Sequence, residues 1–185
     1  MSEKIVARWQ DWSGKGIEHL VMQVDSDEIV AEAAIVGSVD DENFAARYRI
    51  LCDGSWRVTE VEISEIGNDR WIELSSDGAG NWFDGSAAPL EELKGAIDID
   101  VSVTPFTNTL PIRRLRLEKG QAKEILVVYI QIPGLTLATD RQRYTCLEPN
   151  RRYRFESLDS DFKRDIEVDE HGLVVTYPDL FRRVL

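Results

Sequence analysis

Alternation dominates this chain. Ile97, Ile99, Val101 and Val103 fall on one parity, with Asp98, Asp100 and Ser102 on the other. Tyr153 and Phe155 oppose Arg152, Arg154 and Glu156, while Phe162, Ile166 and Val168 oppose Lys163, Asp165, Glu167 and Asp169. A period of two sends successive side chains to opposite faces, so each run predicts a strand with one buried and one wet face. Turn-forming Gly, Pro, Asn and Asp recur about every ten residues, the spacing of an antiparallel β protein.

Two runs, Ile29–Val36 and Ile125–Ile132, are apolar on both parities. They predict central strands covered on both faces. Helical signals are scarce. Pro89–Lys94 has Pro at its start, Glu91 and Glu92 early and Gly95 as a stop. Pro178–Arg183 is a second short candidate. Two short helices cannot cover a long sheet, so the sheet is expected to curl and supply its own second layer. The expected fold is therefore mainly β: a large curved antiparallel sheet, closed as a barrel or open as a half-barrel, with one or two short helices.

The 185 residues predict a single domain, 1–185. A weak echo runs through it: Ile72-Glu73-Leu74 before Gly78 recurs as Ile166-Glu167-Val168 before Gly172. Either the halves, about 1–95 and 96–185, are approximate duplicates, or two hairpins resemble each other by chance.

Charge narrows the function classes. With 22 Lys+Arg against 34 Asp+Glu, the net charge is −12. No nucleic-acid partner is expected, because phosphate binding needs a basic footprint. No run approaches the roughly 20 apolar residues that span a bilayer, so stable membrane insertion is not expected. The start, Met1-Ser2-Glu3-Lys4-Ile5, has no apolar signal segment, and the expectation is a cytoplasmic protein. Cys52 and Cys146 read as buried reduced thiols. With only His19 and His171 and no zinc-type spacing, neither metal nor cofactor is expected. Eleven of the 16 arginines follow residue 110. They either pair with the acidic first half or recognise an anionic group.

Two places could carry chemistry. Asp98 and Asp100 share a strand face, which is open to acid/base work and equally to pairing with Arg114 and Arg116 on an adjacent strand. The stronger place is Thr104 to Arg116. Pro105 and Pro111 stiffen what reads as a polar turn, and Thr104, Thr107, Asn108 and Thr109 supply short hydrogen-bonding side chains. A second strand, Ile112–Leu117, would follow. On it Arg113 shares the parity of Leu115 and Leu117, so an interior Arg113 would need an internal acid or a ligand head group as partner.

These residues carry a resemblance. Thr104-Pro-Phe-Thr-Asn-Thr-Leu-Pro-Ile-Arg-Arg-Leu115 is similar to the signature of the bacterial family described as "putative glycolipid-binding", formerly a domain of unknown function. Supporting pieces span the chain: Tyr48-x-Ile50-x-Cys52-Asp53 before Trp56; Asp77-Gly78-x-Gly80-x-Trp82; Gly95-x-Ile97-Asp98-Ile99-Asp100; Gln142-Arg143-Tyr144; and Gly172-Leu173-Val174 before Tyr177-Pro178. Ala96 stands where the family often carries Cys. The resemblance implies a curved half-barrel like that of the lipoprotein-localisation carriers, with an apolar concave face. Those carriers work in the periplasm, unlike a chain without an export signal.

The resulting expectation is a binder of a lipid or glycolipid-like amphiphile, more a carrier than an enzyme. Its ligand candidates are Thr104, Thr107, Asn108, Thr109, Arg113, Tyr129, Arg143 and Tyr144. The alternatives are an enzyme using Asp98 or Asp100, and an interaction module whose sheet is filled by its own side chains. Oligomeric state is not legible.

Overall fold

The computed structural model describes residues 2–185. Its strands form one sheet with the chain's start at the centre. From β1 (Glu3–Asp11), strands β2 (Ile17–Val24), β3 (Glu28–Val39), β4 (Glu42–Asp53), β5 (Val58–Glu65), β6 (Trp71–Ser76) and β7 (Trp82–Asp84) step outward to one edge. The chain then passes through a 3-10 turn at Glu91–Leu93 to β8 (Asp98–Val101) at the other edge. Strands β9 (Ala122–Gln131), β10 (Thr136–Glu148), β11 (Arg152–Ser157), β12 (Lys163–Val168), β13 (Val174–Tyr177) and β14 (Phe181–Arg183) lead back to the centre. There β14 pairs with β1 in the register Trp9↔Arg183. The fold is mainly β, as the alternation predicted, and of the two expected shapes the curved sheet takes the unclosed one.

One pair breaks the antiparallel rule. β8 and β9 run parallel, Asp98 beside Val127 and Asp100 beside Tyr129. Parallel neighbours need a long crossover, usually helical. That requirement overturns the expected strand at Ile112–Leu117: the crossover is a 3-10 turn, Phe106–Asn108, running into the helix α1 (Thr109–Leu115). Pro111 sits in the first turn of α1, where a backbone N–H has no intrahelical acceptor, so it does not break the helix. Arg116, with φ +48°, ends it. The other helix candidate, Pro178–Arg183, is also corrected. It is a turn followed by β14, whose backbone bonds are taken by β13 and β1.

The crossover plugs the concavity. Phe106 and Leu110 are fully buried in a core built from inward residues of β1–β6, such as Trp9, Leu20, Met22 and Ile50, and from Ile99, Val128 and Ile130. The Phe106 ring stacks on Tyr48, with centroids 6.1 Å apart. Ile112 enters a second core with Tyr144, Phe155, Ile166 and Tyr177. The β8–β9 edge is therefore covered on both sides. Asp98 and Ile99 are both buried, and so are Val127 and Val128. The predicted wet face of β8 is dry at Asp98. Conversely, β3 is covered on one face only: Ile29, Ala31, Ala33 and Ile35 are buried, while Val36 is 48% exposed. Its outward residues are Val30, Glu32, Ala34 and Val36, and the last three are exposed.

A single device shapes several turns. Oδ1 of Asp53, Asp77, Asp84 and Asp169 each accepts backbone N–H groups two and four residues on. An aspartate at a turn start closes the backbone through its own side chain. The approaches to the two edges meet at Gly80 and Gly95. Gly80 (φ +99°) accepts the Gly95 N–H at 2.8 Å, and a Cβ on Gly80 would lie 2.9 Å from Gly95 Cα. Only glycine fits there.

Candidate functional site

The crossover carries its polar side chains inward. Thr104 Oγ1 accepts the Phe106 N–H (3.0 Å), bracing the first helical turn, and donates to Glu18 Oε1 (2.9 Å). The Tyr48 hydroxyl donates to the same oxygen at 2.6 Å. Glu18 is 2% exposed, on the inward parity of β2 with Leu20 and Met22. Its second oxygen, Oε2, is buried with no hydrogen-bond partner. Burial pushes the Glu18 carboxyl up to about 7, although the two hydroxyl donors favour its charged form. Sequence reasoning missed Glu18. Its parity was the one available signal.

Asp98 is fully buried and takes a two-pronged contact from Arg114, Nε at 2.9 Å and Nη2 at 2.6 Å. Burial raises its pKa, opposed by that pairing. Of the two readings of Asp98, the Arg114 pair is the observed one, made from α1 rather than from a neighbouring strand. Asp100 accepts Gln142 Nε2 (2.7 Å) and the Thr107 hydroxyl (3.3 Å). Gln142 Nε2 also reaches Asp140 Oδ2 at 3.0 Å, so one amide bridges two carboxylates. Burial drives Asp100 up to about 6 and the Asp140 charge adds to the rise, while the hydrogen bonds from Gln142 and Thr107 oppose it.

Two clefts adjoin at the mouth of the curved sheet. The first, about 290 Å³, is walled by Trp9, Trp12, Ile35, Phe44 and Val103, with Glu18 among its lining residues. The second, about 370 Å³, is mixed, with Asp100, Tyr129, Asp140, Ser157 and Ser160 facing Phe155, Phe162 and Tyr177 across its walls. They share Ser102, just past β8, and a ridge of Leu180 and Phe181 at the turn into β14. A wider groove, about 590 Å³, lies over the outer face between Arg47, Arg49, Glu62 and Trp71. Its charges are solvent-facing, and two of its carboxylates, Glu32 and Glu62, pair with Arg49 at 3.8 and 4.0 Å. Exposed pairs of that length confer little selectivity. The mouth, with its enclosed acids, is the better candidate.

Three of the sequence candidates, Thr104, Asn108 and Tyr129, line the second cleft. Thr107, Thr109 and Tyr144 are buried behind it. Arg113 stands apart, its guanidinium 5.3 Å from the Trp56 ring centroid and its Nη1 3.4 Å from the Glu170 carbonyl. Arg143 alternates with the buried Gln142 and Tyr144 and forms ion pairs with Glu124 and Glu156. Asp140, Gln142 and Tyr177 escaped sequence reasoning as site residues.

Asn108 is held on both sides. Its Nδ2 donates to the Pro105 carbonyl (3.2 Å), and its Oδ1 accepts the Tyr144 hydroxyl (2.9 Å). Tyr144→Phe leaves that buried oxygen unpaired and is expected to cost about 1–2 kcal/mol. Urea unfolding of the two proteins measures it. An unchanged midpoint would show that the bond contributes nothing.

Among the described residues no group of His, Cys, Asp and Glu is arranged to hold a metal, and no helix is long and apolar enough to cross a membrane. Fold and mouth together define an open, curved β-sheet plugged by its own crossover, with a two-part cleft at one end. The chain belongs to the family described as "putative glycolipid-binding", which matches residues 6–183. It is similar to a DUF1089 family protein of Pseudomonas aeruginosa, known from a crystal structure: 36% identity, 92% of each chain covered and a TM-score of 0.84. No curated protein matches the chain.

Proposed function

We propose that this protein binds a glycolipid-like amphiphile across the two-part mouth. One observation supports the reading above the others: across Leu180 and Phe181, an aromatic and aliphatic cleft adjoins one that adds carboxylates and hydroxyls to its aromatic walls. An amphiphile has the same division. Its alkyl part would lie against Trp9, Trp12 and Phe44, shedding water from apolar surface. Its sugar would meet Asp100, Asp140, Tyr129 and the serines, acceptors and donors suited to hydroxyls. Thr104 and Asn108 belong to this site. Arg113 and Arg143 have no part in it.

Octyl glucoside, kept below its micelle concentration, tests the reading. Trp9 and Trp12 border the apolar cleft, so their fluorescence reports occupancy. Saturable binding is expected, at least about tenfold tighter than for octanol or glucose alone, because each part engages only one cleft. No saturable change would overturn the proposal. Release of free glucose would replace it with an enzyme reading in which Asp100 and Asp140 act as the carboxyl pair.

A further inference from the structure

We propose that Glu18 is a recognition residue for a hydroxyl group carried on the alkyl chain of the bound amphiphile. This inference rests on the amphiphile reading and adds the class of chain. Glu18 points into the interior from β2 and belongs to the wall of the cleft that Trp9, Ile35, Phe44 and Val103 make apolar. Both nearby hydroxyl donors, Tyr48 and Thr104, converge on Oε1. Oε2 is left with no partner although it is buried.

A tie between β2, β4 and the crossover explains Oε1. It does not explain a second polar oxygen held in apolar surroundings, where an unpaired polar atom costs free energy. A plain methylene chain in the cleft would leave Oε2 as it is. An alkylammonium would bring a charge among aromatic and aliphatic walls, at its own desolvation cost. A hydroxyl brings one donor and two acceptors without charge. Because burial holds the Glu18 carboxyl at about 7, both protonation states are populated near neutrality, and a hydroxyl pairs with either.

The ligand class is therefore an amphiphile with a hydroxylated acyl chain. The probes are decanoylglycerol and its counterparts hydroxylated at the second, third or fourth carbon, titrated calorimetrically into the full chain. One hydroxylated ester is expected to bind at least about tenfold more tightly than the plain ester, since a site built to pair a hydroxyl discriminates against a ligand lacking it. Glu18→Met should abolish that preference, so that the hydroxylated and plain esters bind equally. That variant also strands the Tyr48 and Thr104 hydroxyls, so infrared difference spectra of the unaltered protein give an independent reading. The carboxyl C=O band identified by its loss in Glu18→Gln should shift with the preferred hydroxylated ester and not with the plain one. Equal affinities with an unmoved band would overturn the inference and leave amphiphile binding standing. Failure of every ester to bind would overturn both.

Discussion

Replacing Arg114 by leucine is expected to destabilise the protein by about 3–5 kcal/mol at neutral pH, the cost of stranding a buried charge. Asp98 is 0% exposed, and Arg114 supplies both of its hydrogen bonds. Without that guanidinium the carboxylate has neither water nor a counter-ion, and it escapes only by taking up a proton. The cost should therefore shrink as the pH falls. The pair itself is a weaker source of stability than its removal suggests, because burying both ions already costs desolvation. Asp98→Leu with Arg114→Met should recover most of the loss, leaving the double variant within about 1–2 kcal/mol of the starting protein. Urea midpoints of the two singles and the double complete the cycle. A single Arg114→Leu substitution with no effect would mean that Asp98 finds another partner.

Stability should fall as pH rises from about 4 to 8, and Glu18 should account for most of the fall. The Glu18 carboxyl rises from an ordinary 4.5 to about 7 on folding, and Asp100 from 3.8 to about 6. Between the lower and upper values the folded chain holds a proton that the unfolded chain has released. Stability from the raised pKa is thus full below the unfolded value and is lost as pH climbs through the folded one. For Glu18 the difference corresponds to on the order of 3 kcal/mol. Glu18→Gln removes the titration while keeping an oxygen for Tyr48 and Thr104. It should gain stability at pH 8 by a similar amount and differ little at pH 4. Asp100→Asn should act in the same direction and less strongly, since Asp100 is only partly enclosed. Unfolding free energies at several pH values, for each variant, decide this. Parallel profiles for Glu18→Gln and the unaltered chain would show that Glu18 titrates normally.

Both predictions concern acids whose environments were hard to read from their neighbours in the chain. Asp98 sits in an alternating run and looked wet. It is dry because α1 brings Arg114 onto that face. Glu18 was not singled out at all. Its partner Thr104 lies 86 residues away, and the Asp100–Gln142 bond spans 42. By contrast, Thr104, Asn108 and Tyr129 were singled out from sequence and do line the second cleft. Thr104 and Asn108 come from a stretch of short polar side chains around Pro105 and Pro111, a composition that persists whatever the backbone does. The shape of that backbone was misread. Ile112-Arg-Arg-Leu-Arg-Leu117 alternates like a strand, yet Ile112 and Leu115 also lie three apart, the spacing of one helix face. A six-residue run satisfies both periods. The parallel pairing of β8 with β9 then required a crossover.

The sequence by itself determined that the chain is a β protein, where several of its strands lie, and which family motif it carries. These are local properties: a period of two, a turn residue and a contiguous signature are complete within a few positions. Tertiary structure alone decided that the concavity is plugged by residues 104–115, that Glu18 and Asp98 are dry, and that two clefts meet at Leu180 and Phe181. The reason is physical. A strand has two faces, and its pattern says which is more apolar. Whether the other face meets water depends on how far the sheet curls and what the crossover lays over it, and those are sums over contacts made by residues far apart in the chain.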